Sequence, residues 1–541
     1  MRRNEGRYYT LKALPGILIL ALLFLIPLGF TLSYAFHNNG NALVEVFSDP
    51  YTYRLLAFTL EEALLSAVIS TLVAIPLAAF FSKYEFPGRR AVLTLSGLSF
   101  TIPSILVVLG FVIWYGNNGI LNSILMKLTG RDYSILSILY SFKAIILAHV
   151  YLNFPIAFLL ITNAWTVLPD TPEKAAYTMG KGNIETFFRV TLPRLLPSIL
   201  SAFILIFLFC FSSFSIILVL GGNPAFSTFE TEIYRRVHIS VDREGAAALS
   251  IFSFFITGVM LIITSPGRKE GRNSRRQREL QKARGRKLLA AVLLMLLILL
   301  FILPPMLSII YRAFYTKEGA FTLRAWEDIS KGTTGLMSTA MNGIINSFMI
   351  AIVSATLAVF FASRIAMAAA KTNSRFLPFL ASLPMATGSV TLGLGFSFLA
   401  VMLSHDSLLA SYLLVGGAHL TIVLPFAVRS ILPGAKLLPQ SLANASYTLG
   451  ISKGKTARKI EYPLLAPYKR RAFAFAFALS LGEVNATLTL SDGHVSTLPI
   501  LIYRMISSYN YQGAAALGSL LLLEALIIFA IGEGGKKNAI S

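Results

Sequence analysis

Apolar runs of about 20 residues recur along the whole chain, and as helices each would cross ~30 Å of hydrocarbon. They place membrane-crossing helices near 14–36, 59–82, 91–115, 137–163, 198–220 and 246–264. A second set falls near 288–311, 343–362, 377–403, 409–428, 472–490 and 513–531. Lipid offers no partner to a free backbone amide, so open sheet edges are excluded, and the runs lack the alternation of a barrel strand. The expected fold is an all-α polytopic membrane protein with about 12 transmembrane helices in two sets of six. A charged fraction of 13%, about half that of a soluble domain, agrees.

The net charge is +22, which by itself would suggest nucleic acid as a partner. Its distribution argues against that. If the N-terminus is cytoplasmic, 35 of the 47 Lys and Arg residues fall in the segments on the cytoplasmic side. That asymmetry is a topology signal. Both termini are therefore expected inside, and the basic start with its long apolar run reads as an uncleaved first span. The segment 265–287, SPGRKEGRNSRRQRELQKARGRK, carries ten basic and two acidic residues. It reads as a solvated cytoplasmic linker between two membrane domains, 1–264 and 288–541.

The two domains are repeats. Ala148-His149 and Pro155 match Ala418-His419 and Pro425, and Ile233-Tyr234-Arg235 matches Ile502-Tyr503-Arg504. The stretch from Ser104 to Gly110-Phe111 matches Ser389 to Gly395-Phe396. Six spans per half leave both copies facing the same way, which makes a parallel repeat about an axis along the membrane normal.

The most informative repeat is polar. Glu173 to Pro197 reads EKAAYTMGKGNIETFFRVTLPRLLP, and Ala443 to Pro467 reads ANASYTLGISKGKTARKIEYPLLAP. Each follows the fourth span of its half. Gly180 and Gly182 permit a turn between two short helical segments, the second of which is expected to stop at Pro193. The second copy has Gly450 and Gly454, then Pro463. Small and apolar side chains with a basic rim suit insertion into a partner's groove.

The spacing Ala-Ala-x-x-x-Gly, followed by Phe, Val and Leu-Pro, resembles the EAA loop of ATP-binding-cassette (ABC) importer permeases of type I. The stretches Phe211–Arg236 and Ile146–Pro155, and the second-half stretch that ends at Arg504, resemble permeases of thiamine and iron(III) importers with two fused transmembrane domains. The resemblance implies that the loops dock on two copies of a separate cytoplasmic ATP-binding subunit. It also implies that an extracytoplasmic solute-binding protein delivers the cargo. The docking residues it implies are Glu173, Ala175, Ala176, Gly180, Phe187, Val190, Leu192 and Pro193 in the first half. In the second they are Ala445, Gly450, Ile460 and Pro463. Lys174 and Asn444 stand where the family has its glutamate, Ala457 where it has Phe, and Tyr462 where it has Leu. The implied place is the bacterial cytoplasmic membrane.

The chain itself is expected to hold no ATP and no other cofactor, and not to be an enzyme. Gly450-Ile-Ser-Lys-Gly454-Lys455-Thr456 is one residue short of a phosphate-binding loop, and no strand precedes it. ATP with Mg²⁺ would then act in the partner subunits. An alternative is an ion-driven secondary transporter, against which the parallel repeat speaks.

Polar residues within spans point to a path. Glu483 and Asn485 lie in the eleventh span, and Ser212, Ser213 and Ser215 lie in the corresponding fifth. They are expected to line the translocation route, with Glu483 favouring a cationic cargo, or else to orient the bundle by hydrogen bonding. His149 and His419 recur at equivalent places. No Asp, Glu or Cys stands at i+3 or i+4 from either, so they read as groups that pack or hydrogen-bond between helices, with a role in cargo binding as the alternative. The single cysteine, Cys210, excludes an internal disulfide and reads as a small buried apolar residue; no cysteine-based metal site is expected. Glu61, Glu62 and Glu524 have no assigned role.

Overall fold

The computed structural model describes residues 2–98, 102–222, 225–264, 279–331, 340–403, 407–490 and 495–533. Residues 265–278 of the linker lie outside this set. Six principal helices in each half carry the architecture. The first half has α1 (Arg2–Ala35), α2 (Pro50–Phe81), α3 (Ser104–Tyr115), α4 (Phe142–Thr166), α5 (Leu192–Phe211) and α6 (Arg243–Thr264). The second has α7 (Arg286–Phe314), α8 (Ala340–Thr372), α9 (Ser389–Met402), α10 (Leu408–Leu437), α11 (Ala466–Leu481) and α12 (Tyr511–Glu533).

Among the described residues ten helices are long and apolar enough to cross a membrane. Phe376–Ala386 and Ser389–Met402, bent by 84° against each other, make an eleventh if taken as one span. The remaining place belongs to α11, which is 16 residues long. It is short because the chain breaks at Gly482–Val484 before a further turn of helix, Asn485–Leu490. The first half breaks in the same place, at Ser212–Phe214 between α5 and Ser215–Leu220.

Small residues set the helix packing. Ala63, Ser66, Ala67, Ala74 and Ala78 form a fully buried stripe on α2, and Ala351, Ser354, Ala355, Ala362 and Ala366 form its counterpart on α8. Lipid tails are as apolar as leucine, so close backbone approach and dispersion drive this association. The stripes face α4 and α10.

The first helix of each half is partly exchanged. α1 packs on α8 and α9 of the second half as well as on α6 of its own, and α7 packs on α3 of the first as well as on α12 of its own. The closest approaches are twins. A Cβ on Gly110 of α3 would stand 2.6 Å from the Pro305 carbonyl oxygen of α7, and one on Gly395 of α9 would stand 2.6 Å from that of Pro27 on α1. Only glycine fits either place. Tyr151 of α4 adds a hydrogen bond to α7, donating to the Ile302 carbonyl at 2.6 Å.

The end of the linker is not free. Gln281–Lys282 pairs in parallel with Tyr84–Glu85, and the Lys287 ammonium stands 4.8 Å from the Tyr84 ring centre. These residues, expected to be solvated, are stitched to the loop that follows α2.

Candidate functional site

The duplicated polar loop folds alike in both halves. A helix, Thr171–Thr178 or Gln440–Thr448, ends at a glycine in the left-handed region, Gly180 (φ +79°) or Gly450 (φ +75°). That geometry stops a helix and favours glycine. Gly182 and Gly454 have no positive φ; Gly454 sits within the short helix Lys453–Thr456. A π-helical turn follows, Phe187–Thr191 or Ala457–Glu461.

Pro193 and Pro463 do not end these segments. Each lies in the first turn of the next helix, where a missing N–H costs nothing. In the first half the chain therefore runs from the loop directly into α5. The wide π turn allows the redirection.

The loop residues divide by exposure. Glu173 and Ala176 are buried within the loop itself, and Glu173 accepts a 2.9 Å hydrogen bond from Thr191. Phe187 is half-buried and stacks on Trp165 at the end of α4, centroids 5.9 Å apart. Val190, Leu192 and Ile460 are half-buried, while Ala175, Gly180, Pro193, Ala445, Gly450 and Pro463 are exposed. The residues most available to a partner were not singled out from the sequence. Met179 and Leu449 are 72% and 78% exposed at equivalent tips, and Ile184 is 76% exposed. For Met179 and Leu449 the signal was an apolar side chain directly before the turn glycine.

The second loop is anchored differently. Glu461, which stands where the first loop has Thr191, accepts hydrogen bonds from the Tyr9 hydroxyl of α1 and pairs with Lys371 of α8 at 2.6 Å.

The polar residues of the fifth and eleventh spans meet at the two helix breaks. Ser215 donates to Asn485 at 2.7 Å. The two positions correspond in the repeat, so the pseudo-twofold axis passes through this contact. Glu483 is buried, and its carboxylate accepts the Ala486 N–H at 2.8 Å, capping the short helix after the break. Across from it Glu230 accepts from the Val390 N–H (3.0 Å) and the Thr391 hydroxyl (3.3 Å) at the start of α9.

Each break is pinned by its histidine. His419 is held between the Ser480 and Thr487 hydroxyls, both at 2.8 Å. His149 reaches Ser213 through Nε2 at 2.8 Å, while Nδ1 faces Glu62. The hydrogen-bonding role read from the sequence describes His419 fully. His149 has more: Glu62 and Cys210 come to it from α2 and α5, a juxtaposition that spacing along one helix could not reveal.

Residues 66–265 match the model of the family described as "Binding-protein-dependent transport system inner membrane component". The thiamine transport system permease protein ThiP of Brucella abortus (strain 2308) is 28% identical over 542 residues, covering 98% of this chain and 97% of that protein. Its namesake from Escherichia coli (strain K12) is 24% identical, covering 96% of each. A chain of a solved bacterial ABC transporter that imports the polysaccharide alginate aligns at 20% identity over 48% of this chain and 96% of that one, with a TM-score of 0.42. With the twin loops, the paired breaks and similarity along nearly its whole length, the chain resembles the multi-pass inner-membrane permeases of ABC importers, in which ATP hydrolysis belongs to separate subunits.

Proposed function

We propose that the chain forms the translocation path for thiamine. The observation that carries this is the similarity to thiamine permeases over 98% of the chain. A cationic cargo also suits a path flanked by Glu230 and Glu483, two carboxylates at the start of α9 and at the helix break. The path runs along the axis marked by Ser215 and Asn485, with Ser212 and Ser213 beside it. Iron(III) is the other cargo the sequence suggests.

Two copies of a cytoplasmic ATPase dock on the two loops, and ATP with Mg²⁺ acts there. Ala175, Gly180, Met179 and Ile184 form the first contact, and Ala445, Gly450 and Leu449 the second. Glu173, Ala176, Phe187, Val190, Leu192 and Pro193, with Ile460 and Pro463, hold the loops in shape and pass displacement to the spans. Both termini and residues 265–287 are cytoplasmic, between domains 1–264 and 288–541. An external binding protein delivers the cargo. For the ATPase to do work, each loop must bind it differently in the two states of the cycle.

The test is reconstitution of the chain in vesicles with its ATPase and binding protein. ATP-dependent uptake of labelled thiamine, and not of iron(III), is expected. Iron uptake without thiamine uptake would overturn the cargo. Accumulation without any ATPase would overturn the mechanism.

A further inference from the structure

The internal repeat supplies its own control for the cluster at His149. In the register that aligns the two small-residue stripes, Glu62 corresponds to Ile350; in that of the loops and breaks, Cys210 corresponds to Ser480. The second half thus keeps the histidine and satisfies it with two hydroxyls. The first half surrounds the same histidine with a carboxylate and a thiol. One donor atom each from Glu62, His149 and Cys210 lies within 4.8 Å of the others, and all three residues are buried.

Two features of this cluster are unexplained by packing. The Glu62 Oε2 atom is buried with no hydrogen-bond partner among the described residues. A buried carboxylate is costly unless it is paired or neutralised. The histidine is also oriented as metal ligands are. Its Nε2 is engaged by Ser213 at 2.8 Å, which can fix the N–H there and leave the Nδ1 lone pair directed at Glu62 and Cys210.

We propose that Glu62, His149 and Cys210 form a binding site for a divalent cation of the zinc class. Carboxylate oxygen, imidazole nitrogen and thiolate sulfur are the donor set of zinc and cobalt(II); magnesium and calcium take oxygen only. The Ser66 hydroxyl stands 3.1 Å from Glu62 Oε1 and 3.4 Å from His149 Nδ1, placing a fourth oxygen at the edge of the cluster. Asn153 donates to the Cys210 sulfur at 3.4 Å. On binding, the thiol proton passes to solvent, and Glu62, Cys210 and the dication sum to zero net charge. The ion ties α2, α4 and α5 together just before the first-half break. This proposal does not rest on the identity of the cargo.

The test uses the full chain purified in detergent. After incubation with Zn²⁺ and desalting, elemental analysis should find about one zinc per chain. Titration with Co²⁺ should give a thiolate-to-cobalt charge-transfer band in the near ultraviolet. Cys210→Ser should abolish the band, and Glu62→Gln should weaken Co²⁺ binding tenfold or more. Ser480→Ala and His419→Ala, at the second-half counterpart, should leave both readouts unchanged. If the unmodified chain, eluting as a single folded species, takes up no zinc and shows no band, the proposal is overturned and the cluster is an ion pair with a packed thiol. An undiminished band in Cys210→Ser would also overturn it. Should either first-half variant fail to fold, the unmodified chain's own zinc content and spectrum still decide.

Discussion

Replacing Gly110 or Gly395 by alanine tests the exchange of first helices directly. The new Cβ would stand 2.6 Å from the Pro305 or Pro27 carbonyl oxygen, against about 3.3–3.6 Å for an ordinary C···O contact. The helices would have to part by most of an ångström, because the nearest atoms are the backbone and ring-bound Cβ of a proline, which cannot rotate away. Overpacking of this kind costs about 1–3 kcal/mol. Alanine also gains about 0.8–1 kcal/mol over glycine within a helix, so each variant alone understates the clash. Gly258 on α6 and Gly29 on α1 have open space where a Cβ would stand, with nothing within 4 Å. Gly258→Ala and Gly29→Ala should therefore show the helix gain alone. The difference between the two classes, measured as unfolding free energy in mixed detergent micelles, should be about 1–3 kcal/mol. The double variant Gly110→Ala/Gly395→Ala should lose close to the sum, because the two contacts share no residues. If Gly110→Ala and Gly395→Ala behave like Gly258→Ala, the exchanged packing is wrong.

Three further outcomes follow from the site. Gly180→Ala and Gly450→Ala place a Cβ in the left-handed region, at about 1–2 kcal/mol each, and should leave ATP hydrolysis by the reconstituted complex while uptake falls; coupled uptake at the normal rate in the double variant would refute the docking role. Lys371→Met leaves Glu461 buried with its charge uncompensated and should cost about 3–5 kcal/mol by thermal or detergent unfolding, with recovery in Lys371→Met/Glu461→Leu; equal loss in both variants would contradict this. Glu483→Gln keeps an oxygen that can accept from Ala486, so assembly should be normal, while uptake of a cationic cargo should fall; normal uptake would remove Glu483 from the path.

The repeat and the loops were legible because polar residues in an apolar chain are sparse and fall at a constant spacing, from His149 and His419 through to Ser215 and Asn485. The exchange of α1 and α7 was not. A lipid-compatible run carries no mark of which half it will lie against, and only Gly110 and Gly395, visible afterwards, record it. Pro193 misled because proline both ends helices and begins them. The choice depends on the preceding backbone, here a π turn that no simple pattern announces. The cluster at His149 was hidden because its members come from three helices, each unremarkable alone.

The two loops differ in one exchange that bears on how they could act. In the first loop the acid is Glu173, and it bonds to Thr191 within the same loop. In the second the corresponding pair of positions holds Ala443 and Glu461, so the acid has moved to the other side and bonds outward, to Tyr9 of α1 and Lys371 of α8. α1 belongs to the first half by sequence and packs there on α6, but it packs also on α8 and α9 of the second. A displacement of the second loop is therefore delivered to a helix shared by both halves, whereas one at the first loop passes through Phe187 and Trp165 into α4 and along α5. Equal pushes at the two loops would then reach the axis by unequal routes. The Ser215–Asn485 contact, one hydrogen bond between equivalent positions, is where those routes converge. A net hydrogen bond contributes only about 0.5–1.5 kcal/mol, so either route could part it. The asymmetry would therefore decide the order in which the halves move, not whether they move.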